Sequence, residues 1–269
     1  MKKTVLICLV LFCSLSSMKP ANLPGNDKKF PSLIPSISDE LPAVTKWVDS
    51  FYAASGLQDA GLKKEAFYYA SKGYQYLLSN DRLDKKILTI CDYSQSSKNK
   101  RLYVIDMETG ELLFNTYVSH GKNSGLEYAT SFSNKPESHK SSLGFMITAN
   151  TYTGKAGYSL RLNGVEEDIN DNVNRRDIVM HGSYYVNESR ADEGSNMGRS
   201  FGCPAVPYAL HKKIINTIKE GSCFFVFSKD QWYATTSKIL RARFMWPSAD
   251  YQYIVNESPV QQMKMYPQG

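Results

Sequence analysis

The chain has 269 residues, 42% of them apolar and 22% charged, with a formal net charge of +6. This is ordinary globular composition and excludes a disordered, collagenous or multi-span membrane chain. The length suits one generous domain, or one domain with a small extension. The basic charge is dispersed, with no long Lys/Arg block. It excludes a nucleic-acid-binding arm and fits attraction to polyanionic wall polymers or anionic surfaces.

Residues 1–17 read as a secretory signal peptide. Lys2 and Lys3 precede the uncharged apolar run Thr4–Leu15, and Ser14, Ser16 and Ser17 offer small residues for cleavage. The run is short for a membrane span, although an N-terminal anchor is the alternative. Loss of the two lysines lowers the net charge of +6 to +4. Residues 18–41, with Pro20, Pro24, Pro31 and Pro35, read as an irregular leader. Residues 42–80 form a predicted helical extension. Trp47, Phe51, Tyr52, Leu62, Ala66, Tyr69, Ala70 and Leu77 recur at three- and four-residue steps, and Gly56 and Gly61 split the stretch into two helices.

From about residue 85 the pattern changes to strands. Lys86–Asp92 and Leu102–Asp106 are predicted strands, and Glu111–Ser119 returns after the turn at Met107–Gly110. Residues 120–141 are a long loop, and long loops within compact domains are usually functional or mobile. Leu143–Tyr152, Tyr158–Leu162 and Asp177–Met180 are further strands, the last ending on His181. After a polar loop over 182–202, a helix is expected from Pro207 to Lys219, with Gly221 just beyond it. Cys223–Phe227 closes the pattern, and residues 229–269 form a tail that begins with a possible helix and becomes irregular.

Cleavage of the signal peptide removes Cys8 and Cys13 and leaves Cys91, Cys203 and Cys223, an odd count in an oxidising compartment. Cys91 and Cys223 sit in apolar strand patterns, where cysteine behaves as a small hydrophobe. A disulfide between them is left open. Cys203 lies instead in Arg199-Ser-Phe-Gly-Cys-Pro-Ala-Val206, 22 residues after His181. Pairing cysteine with histidine yields a thiolate nucleophile at neutral pH. Gly202 permits unusual backbone angles, and Pro204 biases Cys203 toward an extended conformation. A helix starting near Pro207 would direct positive dipole at the sulfur, and Arg199 would add positive charge. Spacing alone leaves open a structural thiol and a merely hydrogen-bonded histidine.

Met180-His-Gly-Ser183 followed by Gly198-Arg-Ser-Phe-Gly-Cys-Pro-Ala-Val206 resembles the motif of the murein L,D-transpeptidase (YkuD-like) catalytic domain family. Phe132-Ser-Asn134, Ser141-Ser-Leu-Gly-Phe145, Tyr152-Thr-Gly154, Gly157–Leu162, Asn170-Asp171 and Arg175-Arg176 extend the resemblance over about residues 85–228. It implies an α+β, β-rich L,D-transpeptidase fold with the N-terminal helical extension attached. It also implies acyl transfer on peptidoglycan stem peptides. Cys203 would attack the third residue of a tetrapeptide, His181 would act as base, and an amine acceptor would complete a 3→3 cross-link.

Under that resemblance, Gly202 and Cys203 N–H groups would serve as oxyanion donors, the Gly182 carbonyl would fix the His181 ring, and Ser200 would order the loop. Ser183 is either a turn residue or a support for His181. Arg199, His120 and Tyr152 are candidate substrate contacts. His139 and His211 are expected to be solvated, and the sequence carries no metal-ligand spacing or phosphate loop, so no metal or cofactor is implied. No protein partner is evident. Phe201 departs from the family's usual histidine before Gly-Cys, and Pro204-Ala-Val departs from relatives with Arg or Asn there. An L,D-carboxypeptidase or endopeptidase on the same stems, and a non-catalytic wall-binding protein, are the alternatives. The expected location is the periplasm or cell envelope.

Overall fold

The computed structural model describes residues 42–242, apart from Gly198. The expected signal peptide and leader, and the tail beyond residue 242, lie outside the described residues. None of the described helices is long and apolar enough to cross a membrane.

Two helices precede the sheet, as the periodicity predicts: α1 (Pro42–Ala54) and α2 (Lys64–Ser79). Their apolar stripes, Val44, Trp47, Val48 and Phe51 on one and Ala66, Phe67, Ala70, Tyr74 and Leu77 on the other, are buried. They share a core with the strands rather than forming one of their own. Gly73 makes the close approach to the sheet possible, since a Cβ there would lie 2.0 Å from the Phe145 ring.

Eight strands form one mixed sheet in the order β3-β2-β1-β8-β4-β5-β6-β7. Their ranges are β1 (Ile87–Asp92), β2 (Leu102–Asp106), β3 (Leu112–Thr116), β4 (Gly144–Gly154), β5 (Gly157–Gly164), β6 (Val179–Ser183), β7 (Ala205–Pro207) and β8 (Cys223–Phe227). The β1–β8 and β6–β7 pairs are parallel, and the others are antiparallel. The chain after β3 comes back to the far edge. Ser119 N–H donates to Ala205 O at 2.8 Å, and Gly121 bridges Ser200. The sheet therefore curls toward a barrel-like closure, and the candidate site lies where its two ends meet.

After β8, two short helices, α5 (Gln231–Thr236) and α6 (Lys238–Arg241), bury Tyr233, Ile239 and Leu240. They are fastened by the buried Glu166 carboxylate, which accepts from Phe145 N–H at 2.7 Å, from Tyr233 Oη at 3.0 Å and from Ser237 Oγ.

The structure settles one question left open and corrects two expectations. Cys91 and Cys223 are both free. On the β1–β8 ladder Cys91 opposes Val226 and Cys223 opposes Leu88, an offset of three residues. That is roughly 10 Å along the strand, beyond the reach of a disulfide. The segment at Ala205–Pro207 is a strand, not the start of a helix, and α4 runs from His211 to Ile218. Finally, the loop over 182–202 contains a further short helix, α3 (Glu188–Asp192), capped by the Asn187 side chain, which accepts from Arg190 N–H.

Candidate active site

His181 sits in the middle of β6 and Cys203 just before β7, so the parallel β6–β7 ladder brings them onto neighbouring strands, two residues apart in level. His181 pairs with Ala205, and running the register back two residues sets Cys203 level with Val179. The contact bears this out. Cys203 Sγ accepts from Val179 N–H at 3.4 Å and donates to Asp177 O at 3.6 Å. The thiol is half-buried and lies one pleat from His181 on the neighbouring strand.

His181 Nδ1 lies 3.1 Å from Gly182 O. A carbonyl only accepts, so Nδ1 carries the hydrogen and Nε2 of the neutral ring is left as a base. Burial holds the His181 pKa below its ordinary value. The Gly182 carbonyl opposes that shift, and nearby His211 adds to it. Burial likewise raises the Cys203 thiol, against the Val179 N–H and the Arg176 charge, which lower it. Both shifts favour the uncharged forms, a thiol and a neutral imidazole, and no hydrogen bond joins the two side chains among the described residues.

The loop carrying Cys203 is tied down by side chain–backbone bonds. Ser200 Oγ donates to Cys203 O at 2.6 Å and accepts from Gly202 N–H at 3.1 Å. Ser200 N–H donates to His120 O at 3.0 Å, and Lys122 N–H donates to Ser200 O at 2.7 Å. Ser141 Oγ links Gly121 N–H (3.0 Å) to Gly202 O (3.4 Å). Gly202 has φ +121°, and a Cβ there would lie 2.8 Å from both Lys140 O and Ile178 Cδ1. Only glycine fits. Its N–H is already used by Ser200. Among the described residues the Cys203 N–H has no acceptor, so it is the better-placed oxyanion donor.

The other expected site residues divide. Ser200, Gly202 and Gly182 adjoin the pair directly. Ser183 pairs with Pro207 at the end of β6. Tyr152 lies on the same face as His181, through the pairings Tyr152–Ser159 and Ser159–His181, with the Arg161 guanidinium 4.4 Å above its ring. Arg199 is exposed and donates to Lys122 O and Gly125 O, both at 3.1 Å. Phe201 is 65% exposed, with Lys122 Nζ 4.3 Å from its ring centre and the His139 ring at 4.6 Å.

His120 has no accessible surface, so it backs the loop instead of lining the cleft. Its Nδ1 accepts from Arg101 Nη2 at 2.8 Å, and its Nε2 faces Gly125 O at 3.3 Å. Burial, with the Arg101 charge, drives its pKa down to about 4. Arg101 is itself wholly buried, donating to Val118 O and Gln95 O. Nothing in its sequence setting, Lys100-Arg-Leu102, marks it.

His211 is buried beneath Gly182, where a Cβ would come 2.6 Å from its ring, and its Nδ1 donates to Tyr208 O. The expectation that it is solvated fails. His139, also expected in solvent, is half-buried against Phe201. The helix-dipole expectation fails too, because α4 starts beyond Pro207, which pairs with Ser183 four residues along from the level of Cys203. Dipole effects fade within a turn. Among the described residues, no cluster of three or more His, Cys, Asp or Glu side chains is arranged to hold a metal.

Residues 58–227 match the family model described as the L,D-transpeptidase catalytic domain, and the chain belongs to that family. Among solved structures, an L,D-transpeptidase from Mycobacterium smegmatis aligns at 12% identity and TM-score 0.33, covering 53% of this chain and 59% of that one. An L,D-transpeptidase from Stackebrandtia nassauensis aligns at 15% identity and TM-score 0.32, covering 70% and 91%. The helical cell shape determining protein Pgp2 from Campylobacter jejuni aligns at 13% identity and TM-score 0.33, covering 61% and 60%. This chain thus spans about three fifths of the Mycobacterium protein. A search of curated proteins finds no significant match.

Proposed function

We propose that this protein is an exported peptidoglycan L,D-transpeptidase of the periplasm or cell envelope, with Cys203 as nucleophile and His181 as general base. The observation that supports this reading is the β6–β7 register, which brings Cys203 onto the strand next to His181, two residues from its level, with the His181 Nδ1–H held by Gly182 O.

In the proposed reaction, Nε2 of His181 takes the thiol proton as Sγ bonds to the carbonyl carbon of the third residue in a tetrapeptide stem. The oxyanion forms beside the free Cys203 N–H. The carbon–nitrogen bond to the fourth residue then breaks, and its amine leaves with the proton from His181. The amine of a second stem attacks the thioester, gives its proton to His181 and releases Sγ, leaving a 3→3 cross-link. The neutral resting pair suits this order of events, because the imidazole is free to accept the proton as the sulfur attacks.

Incubation of the purified protein with disaccharide tetrapeptides, analysed by mass spectrometry, tests the reading. Cross-linked dimers are expected. Tripeptides alone would make it an L,D-carboxypeptidase, and unchanged substrate would favour a wall-binding role.

A further inference from the structure

Arg176, in the turn before β6, spends its guanidinium on one loop. Nη1 donates to Ser133 O and Ser142 Oγ, both at 2.6 Å, and Nη2 donates to Lys140 O at 2.7 Å and Ser138 Oγ at 3.1 Å. All four acceptors are neutral. Nε is buried without a partner among the described residues. That loop forms the wall behind the nucleophile, since Lys140 O and the Ser141 hydroxyl abut Gly202. Its backbone is in a costly conformation, with Glu137 and His139 at φ +54° and +52°, and Asp177, beside Arg176, is also at +52°. Such geometry persists only when outside contacts fix it.

We propose that Arg176 is a positioning residue for Cys203. It ties residues 133–142 into the wall behind Gly202 and sets a guanidinium with only neutral partners one residue from Asp177, whose backbone carbonyl accepts from the thiol. The charge balance around Sγ agrees. The Arg176 charge works to lower the Cys203 pKa, the Asp177 carboxylate opposes it, and neutral His181 adds none. The other cations nearby are engaged elsewhere, Lys140 Nζ with Ser131 Oγ and Arg199 with the 122–125 loop.

The inference rests on Cys203 as the nucleophile. If Cys203→Ala retained acyl transfer, that reading would fall, whereas the charge effect is read at the Cys203 thiol itself. The test is the pH profile of iodoacetamide alkylation at the Cys203 peptide, with kcat, KM and Tm, for wild type, Arg176→Gln and Arg176→Lys. Cys91 and Cys223 have no accessible surface and do not compete in the folded protein.

The Gln variant is expected to alkylate about tenfold more slowly at pH 7, with its rising limb about one unit higher. The Lys variant keeps the charge but not the fork. It is expected to hold the wild-type limb while kcat falls several-fold at unchanged KM. Superimposable limbs for wild type and the Gln variant, with Tm lowered in both variants, would reduce Arg176 to a structural tie and overturn the proposal. Should the Gln variant fail to fold, the Lys variant decides: unchanged kcat, or a limb displaced to higher pH, contradicts it.

Discussion

Around β8 every side chain from Cys223 to Phe227 is buried, and Phe225 stacks on Phe145 with ring centres 4.1 Å apart. Around β6 and β7 the chain is held differently. Ser200, Ser141 and Arg176 hydrogen-bond backbone, and the sulfur rests between a backbone N–H and a carbonyl. The two regions hold the same element in opposite ways. Cys223 is a filler of apolar space, with its thiol pushed well above the ordinary range by burial, while Cys203 is half-buried among polar groups. Hydrophobic packing supplies stability without direction. Hydrogen bonds supply direction at little net stability, because each replaces one made to water.

Substitutions in the two regions should therefore separate rate from stability. Cys203→Ala or His181→Ala should lower acyl transfer at least ~10³-fold while moving Tm little, since each removes a reacting group from a half-buried position. Cross-linking assays beside thermal melts check this. Phe225→Ala should do the reverse, costing about 3–5 kcal/mol of unfolding free energy in urea titrations, with an unchanged rate per folded molecule.

His120 offers an intermediate case, a buried polar support. Its folded pKa of about 4 lies below its unfolded value, so the unfolded chain binds the extra proton between those values. Its contribution is complete above pH 6.5 and lost as pH falls toward 4. Between pH 7 and pH 5 wild type should lose about 2 kcal/mol that His120→Gln does not, read as the difference between the two urea titrations at each pH. An equal loss in both would assign the acid sensitivity to other groups. The smallest effect is expected for Ser200→Ala, about 1 kcal/mol of stability and about tenfold in kcat, because Gly202 N–H loses its acceptor without loss of any reacting group.

Much of this contrast was legible in the sequence. The switch from helical to alternating periodicity near residue 85 located the helices and most strands, and β2 falls on Leu102–Asp106 as expected. The His181 and Cys203 motifs picked out the candidate pair, because the proposed chemistry needs those residue types. What was hidden depends on chain segments distant in sequence. β7 is three residues long, preceded by Pro204 and ending on Pro207, too short for periodicity to register, and only its partner β6 makes it a strand. The buried Arg101–His120 pair joins residues from separate loops, and although His120 was picked out as a candidate substrate contact, nothing local marks its pairing with Arg101.

His211 was readable after all. It stands at the i position of an i, i+3, i+4, i+7 stripe with Ile214, Ile215 and Ile218, the buried face of α4, and that pattern outweighs its polarity. Arg176 stood within a family-like motif but without a role, since its four acceptors lie on a loop more than thirty residues upstream.

The assignment of the nucleophile is tested most directly by mass spectrometry of the folded protein after exposure to a carbapenem, followed by peptide mapping. A single covalent adduct on Cys203, lost in Cys203→Ala and strongly slowed in His181→Ala, is the expected result. An adduct on Cys91 or Cys223, or one that survives Cys203→Ala, would contradict it.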